Sequence, residues 1–206
     1  MPSESGPEVP VPAVSSRDRM LQAAKHLFAT RGYENTSTVA IARAAGTSES
    51  QLMKHFGSKE GLLEAIFDGG WGELSYIFRA IQDLDSPAEK LGALLDLTLK
   101  ALEKDRELKE LMLLEGRRVR KEGNLVMLTR GFLGFVQSID AVLLEMRSAG
   151  ELRPELHPQA VRSALMGMFE GLLRDQLMGE RMGYAAAYSS ADLRKIFEVM
   201  VAAITR

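Results

Sequence analysis

The chain has 206 residues, 46% of them hydrophobic, and a formal net charge of −2, so it can bury a core as one large domain or as a small domain fused to a larger one. The near-neutral balance excludes a protein that coats nucleic acid through bulk charge while leaving room for a local basic face; the absence of cysteine excludes disulfides, thiolate catalysis and cysteine-based zinc sites. No apolar run approaches the ~18 residues a membrane span needs and the N-terminus lacks a basic-then-apolar signal, so a soluble cytoplasmic protein with no membrane partner is expected.

Residues 1–14 hold four prolines, two acids and few large apolar groups, the composition of a disordered tail. Ser15 or Ser16 then offers an N-cap, and Met20, Ala23, Ala24, Leu27 and Phe28 fall at helical spacing as far as Arg31, where Gly32 stops the helix. Two short helices follow, over 38–45 and 49–55, separated by Gly46-Thr47-Ser48. A longer one opens at Lys59 behind Ser58 and runs to about residue 84, weakened in its middle by Gly69, Gly70 and Gly72. Ser86-Pro87 restarts a helix with proline at its favoured first position. Further apolar-periodic segments cover 87–103, 106–117, 124–149, 158–182 and 191–205. No stretch alternates with period two, so no sheet is expected.

The segment 36–63 carries the functional information. Thr36 or Ser37 caps a helix whose Val39 and Ile41-Ala42 can face inward, and Ala45 allows close packing. Gly46 supplies the left-handed backbone that a tight turn between crossed helices requires. Ser48 starts the next helix, Gln51 completes a potential capping box, and Leu52 and Phe56, four apart, face the supporting helix. That leaves Glu49, Ser50, Gln51, Met53, Lys54 and His55 on the other faces, the pattern of a recognition helix lying in a major groove. Between Ser15 and Phe67 there are seven basic and five acidic residues, so the basic excess lies in this segment.

The ordered string Gly32-Tyr33, Thr36, Ile41-Ala42, Ala45-Gly46, Ser48, Leu52, His55-Phe56, Ser58-Lys59-Glu60 and Leu62-Leu63 resembles the TetR family of regulators over about fifty residues without a gap. The resemblance implies an all-α fold of about nine helices. Residues 15–62 would form a three-helix helix-turn-helix DNA-binding domain, and 63–206 a helical ligand-binding and dimerisation domain. It also implies that Thr36, Gln51, Met53, Lys54, His55 and Lys59 lie near DNA, with Ser48, Glu49 and Ser50 on the same short helix. Gln51 can pair with adenine or cap its helix; Thr36 can reach a phosphate or cap its own; Lys59 at a helix start suits a phosphate. Met53 departs from the family, which usually carries an aromatic there: a thioether cannot donate to phosphate but can touch a thymine methyl. Glu49 either repels phosphate or accepts from a cytosine amino group.

Behind this segment, Gly150-Glu151-Leu152-Arg153-Pro154 matches a loop frequent before the family's eighth helix. Two C-terminal amphipathic helices present Val161, Ala164, Leu165, Gly167, Met168, Gly171 and Leu172, then Leu193, Phe197, Met200 and Ile204. They suit a four-helix homodimer interface, the alternative being completion of the monomer core. Trp71, Tyr76, Phe78, Met112, Met127, Phe132, Phe135 and Phe169 either line a pocket for a small-molecule effector or form core, and eleven methionines in the chain favour an adaptable apolar wall. The expected function is therefore a ligand-responsive repressor, released from a double-stranded DNA operator by a lipophilic molecule. No cofactor, metal or catalytic residue is expected, since the three histidines are far apart and no nucleophile or phosphate-loop motif occurs. A helical binding protein or enzyme with an incidental helix-turn-helix is the alternative, and an activator with the same reader a further one.

Overall fold

A computed structural model describes residues 14–116, 128–183 and 188–206, with Ser75 described by its backbone alone. Among them are nine helices: α1 Ser16–Arg31, α2 Thr38–Ala44, α3 Glu49–Phe56, α4 Lys59–Ala80, α5 Pro87–Lys104, α6 Arg106–Leu114, α7 Arg130–Ser148, α8 Pro158–Met182 and α9 Ser190–Ile204. The only β geometry among the described residues is an isolated antiparallel bridge between Leu152 and Thr205.

Side-chain caps set most of the starts. Ser15, Ser37, Ser48, Ser58, Ser86, Asp105, Thr129 and Ser189 each accept a backbone N–H in the first turn of α1 to α7 and α9, satisfying donors that a helix leaves open. α7 starts at Arg130, later than the apolar periodicity suggests, because Thr129 accepts from the Phe132 amide at 3.2 Å and fixes the start there. The expected helical residues 124–127 and 117 lie outside the described residues. α4 ends at Ala80, with Ile81 as its buried C-cap and a turn through residue 84.

Glycine was expected to weaken α4, but the helix is continuous, and Gly70 makes room for α6: a Cβ there would sit 2.6 Å from the Leu108 Cδ2. α4 is also the helix that joins the two halves of the molecule. Its first turns place Leu62, Leu63, Ile66 and Phe67 in the core, and its later turns do the same with Trp71, Leu74 and Phe78. It packs against α1 and α3 at one end and against α5, α6 and α7 along the rest, running through the expected junction at 62–63 without a break. α6 meets α1, while α5 lies between α7 and α9. Buried residues from Met20 to Ile204 make one hydrophobic cluster. By a ~25 cal/mol per Å² burial rule, that cluster is the main source of stability.

Candidate functional site

The N-terminal head is a helix-turn-helix. α2 and α3 pack on each other and on α1, with Gly46 at φ 63° in the turn between them. Leu52, fully buried at 0% exposure, anchors α3, while Ser48, Glu49, Ser50, Gln51, Met53, Lys54 and His55 are all exposed on its outer faces. Met53 is 41% exposed, an apolar group held in solvent on an otherwise polar surface. The Ser48 hydroxyl accepts from the Gln51 backbone N–H at 3.2 Å, and the Gln51 side-chain oxygen accepts from the Thr47 hydroxyl, a bond that does not use its NH₂ donors. Glu49 accepts from the Thr38 hydroxyl at 2.5 Å, which ties its carboxylate to α2 and sets negative charge at the positive end of α3.

Thr36 and Lys59, for which phosphate contacts were expected, bond to backbone carbonyls within the head. Thr36 is 2% exposed, and its hydroxyl proton lies between the Gly32 carbonyl at 2.8 Å and the Leu27 carbonyl at 3.2 Å. Lys59 donates to the Tyr33 and Thr36 carbonyls at 3.0 and 3.2 Å, with its ammonium 4.2 Å from the Tyr33 ring centroid. Thr36 ties the α1–α2 loop to the end of α1, and Lys59 ties that loop to the start of α4. Glu60 beside them is held below the usual carboxylate range, first by a backbone hydrogen bond at the helix start and then by the Tyr33 and Ser58 hydroxyls. Val39, expected inside, is exposed on α2. Arg19, which the sequence did not single out, donates to the Ala45 carbonyl at 3.2 Å and so closes the C-terminal end of α2. Arg17 lies 5.4 Å over the Phe56 ring.

The body contains an apolar cavity bounded by α4, α5, α6, α7 and α8. Of the candidates named for a pocket, Trp71, Met112, Phe132, Phe135 and Phe169 line it. Trp71 packs on Phe135 and Phe132 with ring centroids 4.9 and 5.2 Å apart. Phe78 is buried behind that wall against Phe135, and Tyr76 is 66% exposed with Arg79 over its ring, so neither lines the cavity. Met127 lies outside the described residues. The leucine wall of α5, with Thr98 in it, was not anticipated, and nor was Lys109. A lining leucine and a core leucine have the same sequence signature, but a threonine set into a run of leucines is a readable departure. Among the described residues no cluster of His, Cys, Asp or Glu could hold a metal ion.

The expected interface residues divide by burial. Val161, Leu165, Leu193, Phe197 and Ile204 are interior to the chain, and Leu165 lines the cavity. Their helical faces point at α5, α6 and α7, so they complete the monomer core. Ala164, Gly167 and Gly171 are exposed, and Met168, Leu172 and Met200 are half-buried; exposed Ile196 and Val199 on α9 join them.

Two links tie the cavity to the head. Lys25 on α1 pairs with Asp105, the cap of α6, at 2.5 Å, and the His26 Nδ1 meets Glu107 at 2.7 Å. The same α6 contributes Lys109, Met112 and Leu113 to the cavity wall. A small helix-turn-helix head on a helical body with an internal apolar cavity defines a DNA-binding regulator of the ligand-sensing type.

The comparisons agree with that class. Residues 20–66 match the family model for bacterial regulatory proteins of the tetR family, and residues 73–199 match the YsiA-like C-terminal region. The chain belongs to the TetR family of transcriptional regulators. It is 36% identical over 98 residues to the HTH-type transcriptional repressor KstR2 of Mycolicibacterium smegmatis, a match covering 47% of this chain and 48%, about half, of that protein. It is 23% identical over 193 residues to the fatty acid metabolism regulator protein of Bacillus subtilis, covering 90% of this chain and 94% of that one. In fold it is similar to the regulator FadR from Bacillus subtilis solved in complex with stearoyl-CoA, with a TM-score of 0.78 at 21% identity, covering 91% of this chain and 96% of the other. Among the described residues no helix is long and apolar enough to cross a membrane.

Proposed function

We propose that this regulator is a repressor that binds a palindromic operator as a homodimer and is released when a lipophilic small molecule enters the body cavity. The observation that carries the reading is the shared use of α6, which forms part of the cavity wall and also grips α1 through the Lys25–Asp105 ion pair and the His26–Glu107 contact. An occupant that displaced α6, or α4 through Trp71, would move the head. Coupling of ~1–3 kcal/mol, the usual allosteric range, corresponds to roughly 5–150-fold weaker DNA binding.

Operator contacts in this reading come from the exposed face of α3. Gln51 offers its NH₂ donors to a base edge, Met53 an apolar contact, and Lys54 and His55 the phosphates. Ser48, Glu49 and Ser50 lie at the start of that helix, where close approach to the groove is possible for small side chains. Thr36 and Lys59 brace the α1–α2 loop beside this helix. The exposed small and apolar residues of α8 and α9, chiefly Ala164, Gly167, Gly171, Ile196 and Val199, form the surface for the second protomer. Such a dimer spaces its readers by ~34–36 Å, one turn of the operator.

The effector is assigned to the lipophilic class because the cavity is walled mostly by leucine and aromatic side chains. A relative solved with stearoyl-CoA supports an acyl-chain ligand, and the structure of a ketosteroid transcriptional regulator, KstR2 of Mycobacterium tuberculosis, supports a steroid. Stearoyl-CoA is the first probe to add to the protein bound to its operator. Release together with a change in Trp71 emission is the expected result; binding at the cavity without release would contradict the coupling.

A further inference from the structure

The α5 wall of the cavity is a run of leucines, Leu91, Leu94, Leu95 and Leu102, interrupted by Thr98. Thr98 is 4% exposed, and its hydroxyl has no hydrogen-bond partner among the described residues. Helical serine and threonine commonly satisfy the hydroxyl on the carbonyl four residues back. Thr30, Ser138 and Ser148 do so here, at 2.7, 2.9 and 3.0 Å. Thr98 does not, although Leu94 lies four residues before it on the same helix.

A buried hydroxyl without a partner costs free energy that a valine of the same shape would not. Packing gives no reason to retain it, since the neighbours one turn away on either side, Leu94 and Leu102, are apolar. Of the other polar residues in the wall, Glu170 is paired with Arg174 on its own helix, and Lys109 lies on α6. Rotation about χ1 exchanges the hydroxyl and methyl of a threonine between staggered wells, so Thr98 can turn its hydroxyl to an occupant.

We propose that Thr98 is a specificity-determining residue whose hydroxyl bonds to an oxygen on the effector. The effector is then an oxygenated lipid, with a carbonyl or hydroxyl on an otherwise hydrocarbon body, and not an unsubstituted chain. The inference rests on the reading of this cavity as the effector site. An oxygenated acyl chain and a polycyclic ketone share the chemistry, and a matched set of probes separates them.

Trp71 is the only tryptophan of the chain and lines the same cavity, so its emission reports occupancy. The full chain and its Thr98→Val variant are titrated with stearate beside a set of positional ketostearates, and with androstane beside androstanedione. In the wild type, the ketone-bearing member of one series binds about tenfold more tightly than the partner that lacks the ketone, and the series that shows this identifies the source. The Thr98→Val variant loses that preference. Because no protein hydrogen bond is removed, the ligand-free variant also melts higher, by ~2–4 °C for ~1 kcal/mol in a chain of this size. An unchanged preference in Thr98→Val, or a variant less stable than the wild type, overturns the proposal. If neither series perturbs Trp71, the effector-cavity reading falls and this inference falls with it, whereas bound probes with no dependence on Thr98 remove the inference alone.

Discussion

Gly131, in the first turn of α7, lies against the backbone of α4. A Cβ at this position would stand 2.7 Å from the Trp71 Cβ and 3.0 Å from the Asp68 carbonyl oxygen, and the Gly131 amide donates to the Asp68 carboxylate at 2.8 Å. Carbon atoms rest at ~3.5–4.0 Å, so Gly131→Ala needs α4 and α7 to separate by roughly 1 Å. The opposing atoms belong to a backbone and a Cβ and cannot swing aside as a side-chain tip would. Overpacking of this kind costs ~1–3 kcal/mol. Replacing glycine in a helix returns at most ~1 kcal/mol, and less in a first turn. The expected net loss is ~1–2 kcal/mol, a fall in Tm of ~2–8 °C. Urea unfolding followed by circular dichroism should show a lower midpoint with an unchanged slope, and native Trp71 emission should shift because the substitution bears on that residue. A variant as stable as the wild type, with unaltered emission, would refute the claim that α4 and α7 are in rigid contact here.

Leu52→Ala removes the buried anchor of α3 and should destabilise the chain by ~2–4 kcal/mol, read by calorimetry; a loss under 1 kcal/mol would show that α3 is held otherwise. Lys54→Ala leaves stability within ~0.5 kcal/mol and, if Lys54 neutralises a phosphate, lowers the slope of log affinity against log salt by about one; an unchanged slope removes Lys54 from the interface. Asp96 joins α5 to Arg194 of α9 at 2.7 Å, and although burial opposes its charge, hydrogen bonds and charge from Lys100 and Arg194 hold its carboxyl below the ordinary value. Because the folded value is depressed, its stabilisation is present above the unfolded pKa of about 3.9 and is lost as pH falls through the lower folded value. Asp96→Asn should therefore cost up to ~1 kcal/mol at pH 7 and almost nothing in strong acid, by urea titration at both pH values; an equal cost at both would contradict the charge argument.

The head was legible because its local chemistry and its tertiary role coincide. Ser48 before α3, Gly46 in the turn and Leu52 inside each have a local signature, and each is found in that place. The intramolecular bonds of Thr36 and Lys59 were not legible, because a polar residue beside a DNA-reading helix has the same sequence signature whether it faces phosphate or a backbone carbonyl. Val39 escaped because α2 has only seven residues, too few for periodicity to fix which side is buried. In the body, apolar spacing fixed the helices but not their neighbours. Leu165 and Leu193 are apolar on the same faces whether the partner is α5, α7 or a second chain, so interface and core separate only when burial is known. Tyr76 and Phe78 lie two apart on α4 and point to different sides of it, one to solvent and one inward.

The most direct test is fluorescence anisotropy of the purified protein on the DNA upstream of its own gene, at two salt concentrations and beside a scrambled fragment of equal length. Selective, salt-dependent binding with two protomers per inverted repeat, reversed by a ligand that also perturbs Trp71, is the expected result. Equal weak binding to both fragments, or ligand binding that leaves the operator complex intact, would contradict a repressor whose head is controlled from its cavity.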